Sequence, residues 1–208
     1  FEAIAADYQE EYNGTIAVAA VNGKIRELFK RVTRDCTVEF FTLKDDIGHK
    51  TYVRTATMLL IKGIYDLFGS AAAQGSRVEF AVGHGTYVNT AGQVPATEEN
   101  AAGLKKRMQE LVEAGTPFMK KSYPLEEAME LFRDKGMEDK AKLFRYRMSS
   151  SVNIYEIDGY HDYYYGYMLP NAGYVKWFDL IPYGEGFLLI LPEKTAPTVV
   201  KPFYESRK

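Results

Sequence analysis

The chain has 208 residues, 46% of them apolar, enough for one large domain or two small ones with a sizeable core. A formal net charge of -2 gives no overall electrostatic footprint for non-specific nucleic-acid binding, although a local basic patch stays open. Cys36 is the single cysteine, which excludes an internal disulfide and a thiolate-rich zinc site and fits a reducing cytosol. No run approaches about 18 apolar residues, so no membrane span is expected. The chain opens on Phe1, with neither Met nor a charged-then-apolar leader, and is expected to be a trimmed piece of a longer cytoplasmic protein.

In chain order, Phe1, Ile4, Ala5, Tyr8 and Tyr12 fall on one face of a short helix that Asn13-Gly14 ends. Thr15 to Val21 and Lys24 to Leu28 flank Asn22-Gly23, a two-residue hairpin turn. Thr37 to Leu43 is a third strand and Asp45 to Gly48 a loop. Thr51 to Phe68 carries helical periodicity through Ala56, Leu59, Leu60, Gly63, Ile64 and Leu67. Arg77 to Val88 reads as two strands about Gly83-His84-Gly85. Thr97 is placed to cap a helix running to about Ala114, with Gly115 stopping it. Pro124 suits the first turn of the next helix, ending near Gly136, and a short helix follows over Glu138 to Phe144. Ser151 to Ile157 and Tyr160 to Met168 flank Asp158-Gly159, a strong hairpin signal. Val175 to Ile181 and Gly186 to Leu191 flank a turn over Pro182 to Glu185, and the Pro- and Lys-rich remainder reads as a linker.

Two stretches resemble threonyl-tRNA synthetases. The segment from Ile16 to Lys24, with Val38 to Leu43, is similar to the second half of a TGS domain, a small β-grasp fold whose first hairpin is missing here. The following region looks like the second N-terminal domain of the same synthetases, which hydrolyses mischarged seryl-tRNA. That domain carries a helical His-x-x-x-His, matched by Arg54 and Met58, and an Asp-led Cys-x-Gly-Pro-His loop. Asp162 matches the Asp, Tyr164 the Cys, Gly166 the Gly, Tyr167 the Pro and Met168 the last His. Gly83 to Val88, including His84 and Tyr87, resembles a turn lining the family's pocket, and Lys120 and Lys121 match a lysine run near it. The resemblance covers roughly Ile16 to Leu191. It implies an α+β fold: a partial β-grasp, TGS-like segment over 1–45, an editing-domain-like domain with an antiparallel sheet over 46–191, and a linker over 192–208.

The departures carry the functional expectation. Arg stays charged, a thioether is a weak donor and a phenol has a pKa of about 10, so none replaces a neutral imidazole or a thiolate at neutral pH. Hydrolysis needs a base poised near neutrality, and zinc needs about four N, S or carboxylate ligands. Editing and metal binding are therefore expected to be lost, with no catalytic residue. The candidate ligand-binding residues of the degenerate cleft are Arg54, Met58, His84, Tyr87, Lys120, Lys121, Asp162, Tyr164 and Met168. Arg54 could bind an anion or pair internally with Asp162. Tyr164, Tyr165 and Tyr167 could stack a base or form an alternating strand with one buried aromatic face. His84 could act in the pocket or be a solvated turn residue; Met58 and Met168 read as core filler.

The layout also looks like the N-terminal region of bacterial nucleoside kinases of the uridine kinase and phosphoribulokinase group. This implies a non-catalytic ligand-binding or regulatory module that touches a C-terminal kinase domain and takes a nucleoside, nucleotide or tRNA end. ATP and Mg would belong to the kinase domain, because no Gly-x-x-x-x-Gly-Lys-Ser/Thr occurs here. A divergent aminoacyl-tRNA deacylase, a tRNA-binding module and a homodimerisation domain are the alternatives.

Overall fold

The computed structural model describes residues 1–144 and 150–204. It is an α+β structure with three antiparallel sheets. An N-terminal unit comes first: helix α1 (Glu2–Tyr8) and strands β1 (Ile16–Val21), β2 (Lys24–Glu27) and β3 (Val38–Thr42), ordered β2-β1-β3. Asn22 and Gly23 take φ of 49° and 75°, the left-handed pair that a tight hairpin turn demands. Ile16, Ala19, Leu28 and Phe40 pack against Ala5 of α1.

Helix α2 (Asp46–Gly75) is the spine of the molecule. It starts one turn before its apolar periodicity does, so the expected loop over Asp45 to Gly48 is helix from Asp46 onward. Two local contacts explain the early start. The Asp45 carboxylate accepts from the Thr42 N–H at 2.7 Å, fixing the entry, and a β-carbon on Gly48 would overlap the Thr42 carbonyl. The periodicity ends where expected: Gly69, at φ 86°, kinks the helix just after Phe68.

Strands β4 (Arg77–Val82), β5 (Gly85–Asn89), β9 (Asp179–Tyr183) and β10 (Gly186–Ile190) make a sheet ordered β4-β5-β10-β9. Pro182 is tolerated because β9 is an edge strand. The expected strand from Val175 begins only at Asp179. The backbone of Trp177 is instead satisfied by one side chain: the Tyr52 hydroxyl donates to its carbonyl at 2.6 Å and accepts from its N–H at 2.9 Å. Helix α3 (Glu98–Glu113) lies between this sheet and α2, capped by Thr97, whose hydroxyl accepts from the Asn100 N–H.

Strands β6 (Phe118–Pro124), β7 (Ser151–Ile157) and β8 (Tyr160–Asp162) form the third sheet, with helices α4 (Leu125–Asp134) and α5 (Glu138–Phe144) between β6 and β7. β6 escapes the sequence patterning because its polarity is inverted: Lys120 faces inward while Met119 is 57% exposed. The expected strand from Tyr160 to Met168 stops at Asp162, and the tyrosine-rich stretch after it is loop. Within the segment read as a linker, Val200 and Phe203 pack on the outer face of the four-stranded sheet, against the Tyr87, Leu188 and Ile190 cluster, and residues 205–208 lie outside the described residues.

The turn between β7 and β8 is tied to the spine by a buried cation. Lys62 of α2, 2% exposed, donates to Asp66 at 2.7 Å and to the Asp158 carbonyl at 2.8 Å. Arg107 of α3 holds the same Asp66 at 2.9 Å, so three elements share one charged junction. A buried charge persists only with such partners.

Candidate functional site

The register of the third sheet places Lys120, Tyr155 and Asp162 directly opposite one another, one residue from each strand. Cross-strand partners project to the same face, so three polar side chains form a row. Glu27, at the end of β2 and 2% exposed, meets this row: its Oε1 accepts from Lys120 Nζ at 2.6 Å and lies 2.6 Å from the Tyr155 hydroxyl. The same phenol lies 2.6 Å from the Gly166 carbonyl, so its one proton is shared between two acceptors and ties the loop after β8 to β2. Burial first, then the Glu27 carboxylate, pushes the Tyr155 hydroxyl well above the ordinary phenol range. Lys120 also stands over the rings of Tyr155 and Tyr167, at 5.2 and 5.9 Å.

Arg54 approaches the loop from α2. Its Nη1 donates to the Tyr167 carbonyl at 2.8 Å, and its guanidinium lies against Gly166, where any β-carbon would overlap it. Gly166 has φ 125°, a conformation open mainly to glycine. Desolvation lowers the pKa of Arg54, offset in part by the neighbouring Tyr155, Tyr164 and Tyr167 hydroxyls. Of the two readings of Arg54, the ion pair with Asp162 is not formed among the described residues. Asp162 instead accepts from the Tyr160 hydroxyl at 3.0 Å and from the Tyr163 N–H at 2.6 Å. The Tyr164 hydroxyl is pushed up by burial and then by Asp162.

One turn along α2, Met58 is fully buried, as is Met168. Thr55 links the helix to the loop: its hydroxyl donates to the Thr51 carbonyl at 2.7 Å and accepts from the Leu169 N–H at 3.0 Å. Met168 Sδ sits 3.6 Å from the same oxygen. The loop thus meets α2 at Arg54 and Thr55, and the side chains there are a guanidinium, thioethers and a phenol: Arg54 with Met58 one turn on, and Tyr164 and Met168 from the loop. These residues do not fit a zinc ion, which takes imidazole, thiolate or carboxylate. Among the described residues, no group of three His, Cys, Asp or Glu side chains is placed to hold a metal.

The remaining candidates lie elsewhere. Tyr87 is on the outer face of the four-stranded sheet, its hydroxyl accepting from the Glu185 N–H and its ring edge-on to Tyr183. It therefore does not join Arg54. His84 bonds the Lys201 carbonyl at 3.1 Å and lines a separate cavity of about 490 Å³ with His49 and Glu193. There burial first, then Lys194, lowers the pKa of His49. Lys121 projects to the opposite face of β6 from Lys120 and stacks on Tyr123 at 4.7 Å. Glu27 and Tyr155 were not among the sequence candidates. Glu27 had a signal: it shares the phase of Ile25 in a short strand, where an acidic side chain turned inward requires a partner.

The chain is similar to segments of several known sequences. Threonine–tRNA ligase of Symbiobacterium thermophilum is 28% identical over 165 residues, covering 78% of this chain and 25% of the ligase. Threonine–tRNA ligase of Maricaulis maris is 28% identical over 181 residues, 86% of the chain and 28% of the ligase. That of Desulfatibacillum aliphaticivorans is 24% identical over 180 residues. The chain spans about a quarter of the length of the curated relatives it matches. No family model matches it. The similarity is thus to one segment of threonine–tRNA ligases, the synthetases that the motifs above resemble.

Proposed function

We propose that this chain is a non-catalytic binding or regulatory module: a TGS-like segment followed by an editing-like domain whose chemistry has been replaced by packing. The observation that carries this reading is that Arg54 is bound to the loop backbone at Tyr167, while Met58 and Met168 are fully buried and Met168 lies against Thr55. None of these groups supplies a base poised near neutrality or a zinc ligand set. The parent protein in this reading is an ATP-dependent nucleoside kinase of the uridine kinase type, a step supported by the order of segments alone. Its ligand would be a nucleoside, a nucleotide or a tRNA end.

Two assays test the proposal. Incubation with seryl-tRNA should release no serine above the buffer rate. Release abolished by both Arg54→Ala and Asp162→Ala would overturn the proposal in favour of a divergent deacylase. Calorimetric titration with nucleosides, nucleotides and tRNA should give saturable heat with one class. Silence with all of them would remove the binding role and leave a module that only joins domains or dimerises its parent. Size-exclusion light scattering identifies the latter.

A further inference from the structure

A groove of about 730 Å³ opens between the N-terminal hairpin and the third sheet, bordered by Tyr167 of the loop that Arg54 holds. It is lined by Lys24 and Arg26 of β2, by Lys30, Arg31 and Arg34 of the following loop, and by Lys120 of β6. Among the described residues, the only carboxylate lining it is Glu27, already engaged by Lys120 and Tyr155. Lys24, Arg26, Lys30, Arg31 and Arg34 have no carboxylate partner among the described residues.

The loop carrying three of these cations is held at both ends. Lys30 N–H donates to the Glu27 carbonyl at 3.1 Å and Glu2 N–H to the Leu28 carbonyl at 2.8 Å. At the far end, Asn22 and Thr37 exchange two hydrogen bonds of 2.9 Å. Five unpaired cations on a fixed frame repel one another, and that repulsion is relieved by an anion in the groove.

We infer that this groove binds an oligophosphate chain, with Arg31, Arg34 and Lys24 as its principal contacts. Arginine matches phosphate oxygens in bidentate fashion and lysine adds a point charge. The groove volume suits a ligand of nucleotide size. A compact oligophosphate is favoured over a long nucleic acid because the cations are concentrated here while the chain as a whole carries a net charge of -2. The groove shares Lys120 and Tyr167 with the candidate site, but the inference rests on the cations of the N-terminal hairpin and its following loop, which the editing-like reading does not use.

Isothermal titration of the protein with inorganic triphosphate, ATP, UTP and a short single-stranded RNA tests it. Saturable binding of triphosphate is expected, weakened by added salt, and lowered at least about tenfold in a Lys24→Ala/Arg31→Ala/Arg34→Ala variant. All three side chains are exposed, so the variant should keep the wild-type melting curve. Lys106→Ala, an exposed lysine on α3 outside the groove, should leave affinity unchanged. Equal affinity for triphosphate and nucleotides assigns recognition to the phosphate chain. Tighter nucleotide binding that the triple variant also weakens adds a contact to the base, with the groove still the site. The inference is overturned by RNA binding without triphosphate binding, by no saturation at about 1 mM, or by equal loss in Lys106→Ala.

Discussion

Replacing Lys120 by Met should destabilise the protein far more than replacing its partner Glu27 by Gln, although the two form one ion pair. Glu27 is 2% exposed, whereas the Lys120 side chain is 13% exposed and faces the groove. In Lys120→Met, Glu27 keeps only the Tyr155 hydroxyl. A buried carboxylate stripped of its cation costs about 3–5 kcal/mol, and water entering from the groove places this case near the lower end, about 3 kcal/mol. In Glu27→Gln, the amide oxygen still accepts from Tyr155 and the lysine extends into the groove, a loss of about 1 kcal/mol. The double variant removes both charges and should fall only about 1–2 kcal/mol below wild type, not the additive value of about 4. For a chain of this length each kcal/mol is about 2–4 °C in Tm, so Lys120→Met should melt about 6–12 °C low and recover most of that on adding Glu27→Gln. Urea unfolding followed by circular dichroism and tyrosine–tryptophan fluorescence measures the cycle. Additivity within about 0.5 kcal/mol would show that Glu27 is solvated without Lys120, and the reasoning from its burial would fall.

Gly166→Ala meets two obstacles, its φ of 125° and the Arg54 guanidinium, and should cost about 2–3 kcal/mol; adding Arg54→Ala should recover only the steric part. Met58→Ala leaves a cavity in a fully buried site and should cost about 2–5 kcal/mol by denaturant unfolding. Burial holds the hydroxyls of Tyr52, Tyr155, Tyr160, Tyr164 and Tyr174 above their unfolded pKa. Their contribution is therefore complete below pH 10, the unfolded value, and is lost as pH rises above it. Tyrosinate absorbance should climb in two limbs, the second coinciding with loss of the circular dichroism signal. A single reversible limb near pH 10 with the fold intact would contradict this.

Elements whose residues face the core in a regular period were legible in the sequence: the Asn22-Gly23 and Asp158-Gly159 hairpins, the Thr97-capped helix, and α2 up to its kink at Gly69. What escaped was decided by partners distant in sequence. Trp177 is held out of a strand by Tyr52, β6 turns a lysine inward because Glu27 waits across the groove, and the tyrosine run leaves the sheet at Asp162 because Arg54 takes the backbone at Tyr167. The positions where α2 meets the loop after β8 were legible, since Arg54 reaches Tyr167 and Met168 lies beside Thr55. The site's polar frame was not, because the row of Lys120, Tyr155 and Asp162 exists only through strand register.

If that meeting of helix and loop preserves an older metal-binding backbone, restoring imidazoles should restore a metal. Arg54 and Met58 are four residues apart on α2, a spacing that puts two histidines on one helix face, and Met168 approaches the same turn through Thr55. Shortening Arg54 also frees the space against Gly166. An Arg54→His/Met58→His/Met168→His variant offers three nitrogen ligands and leaves the fourth position to water, a set that zinc accepts. At a zinc concentration of 100 times Kd, binding adds about 2.7 kcal/mol, or about 5–11 °C in Tm, while wild type should not respond. One equivalent of zinc should be retained after desalting. A folded variant that takes up none would show that the loop has moved out of coordinating reach, so that the similarity to threonine–tRNA ligases stops short of the site. Uptake would show that the side chains changed while the backbone kept its place.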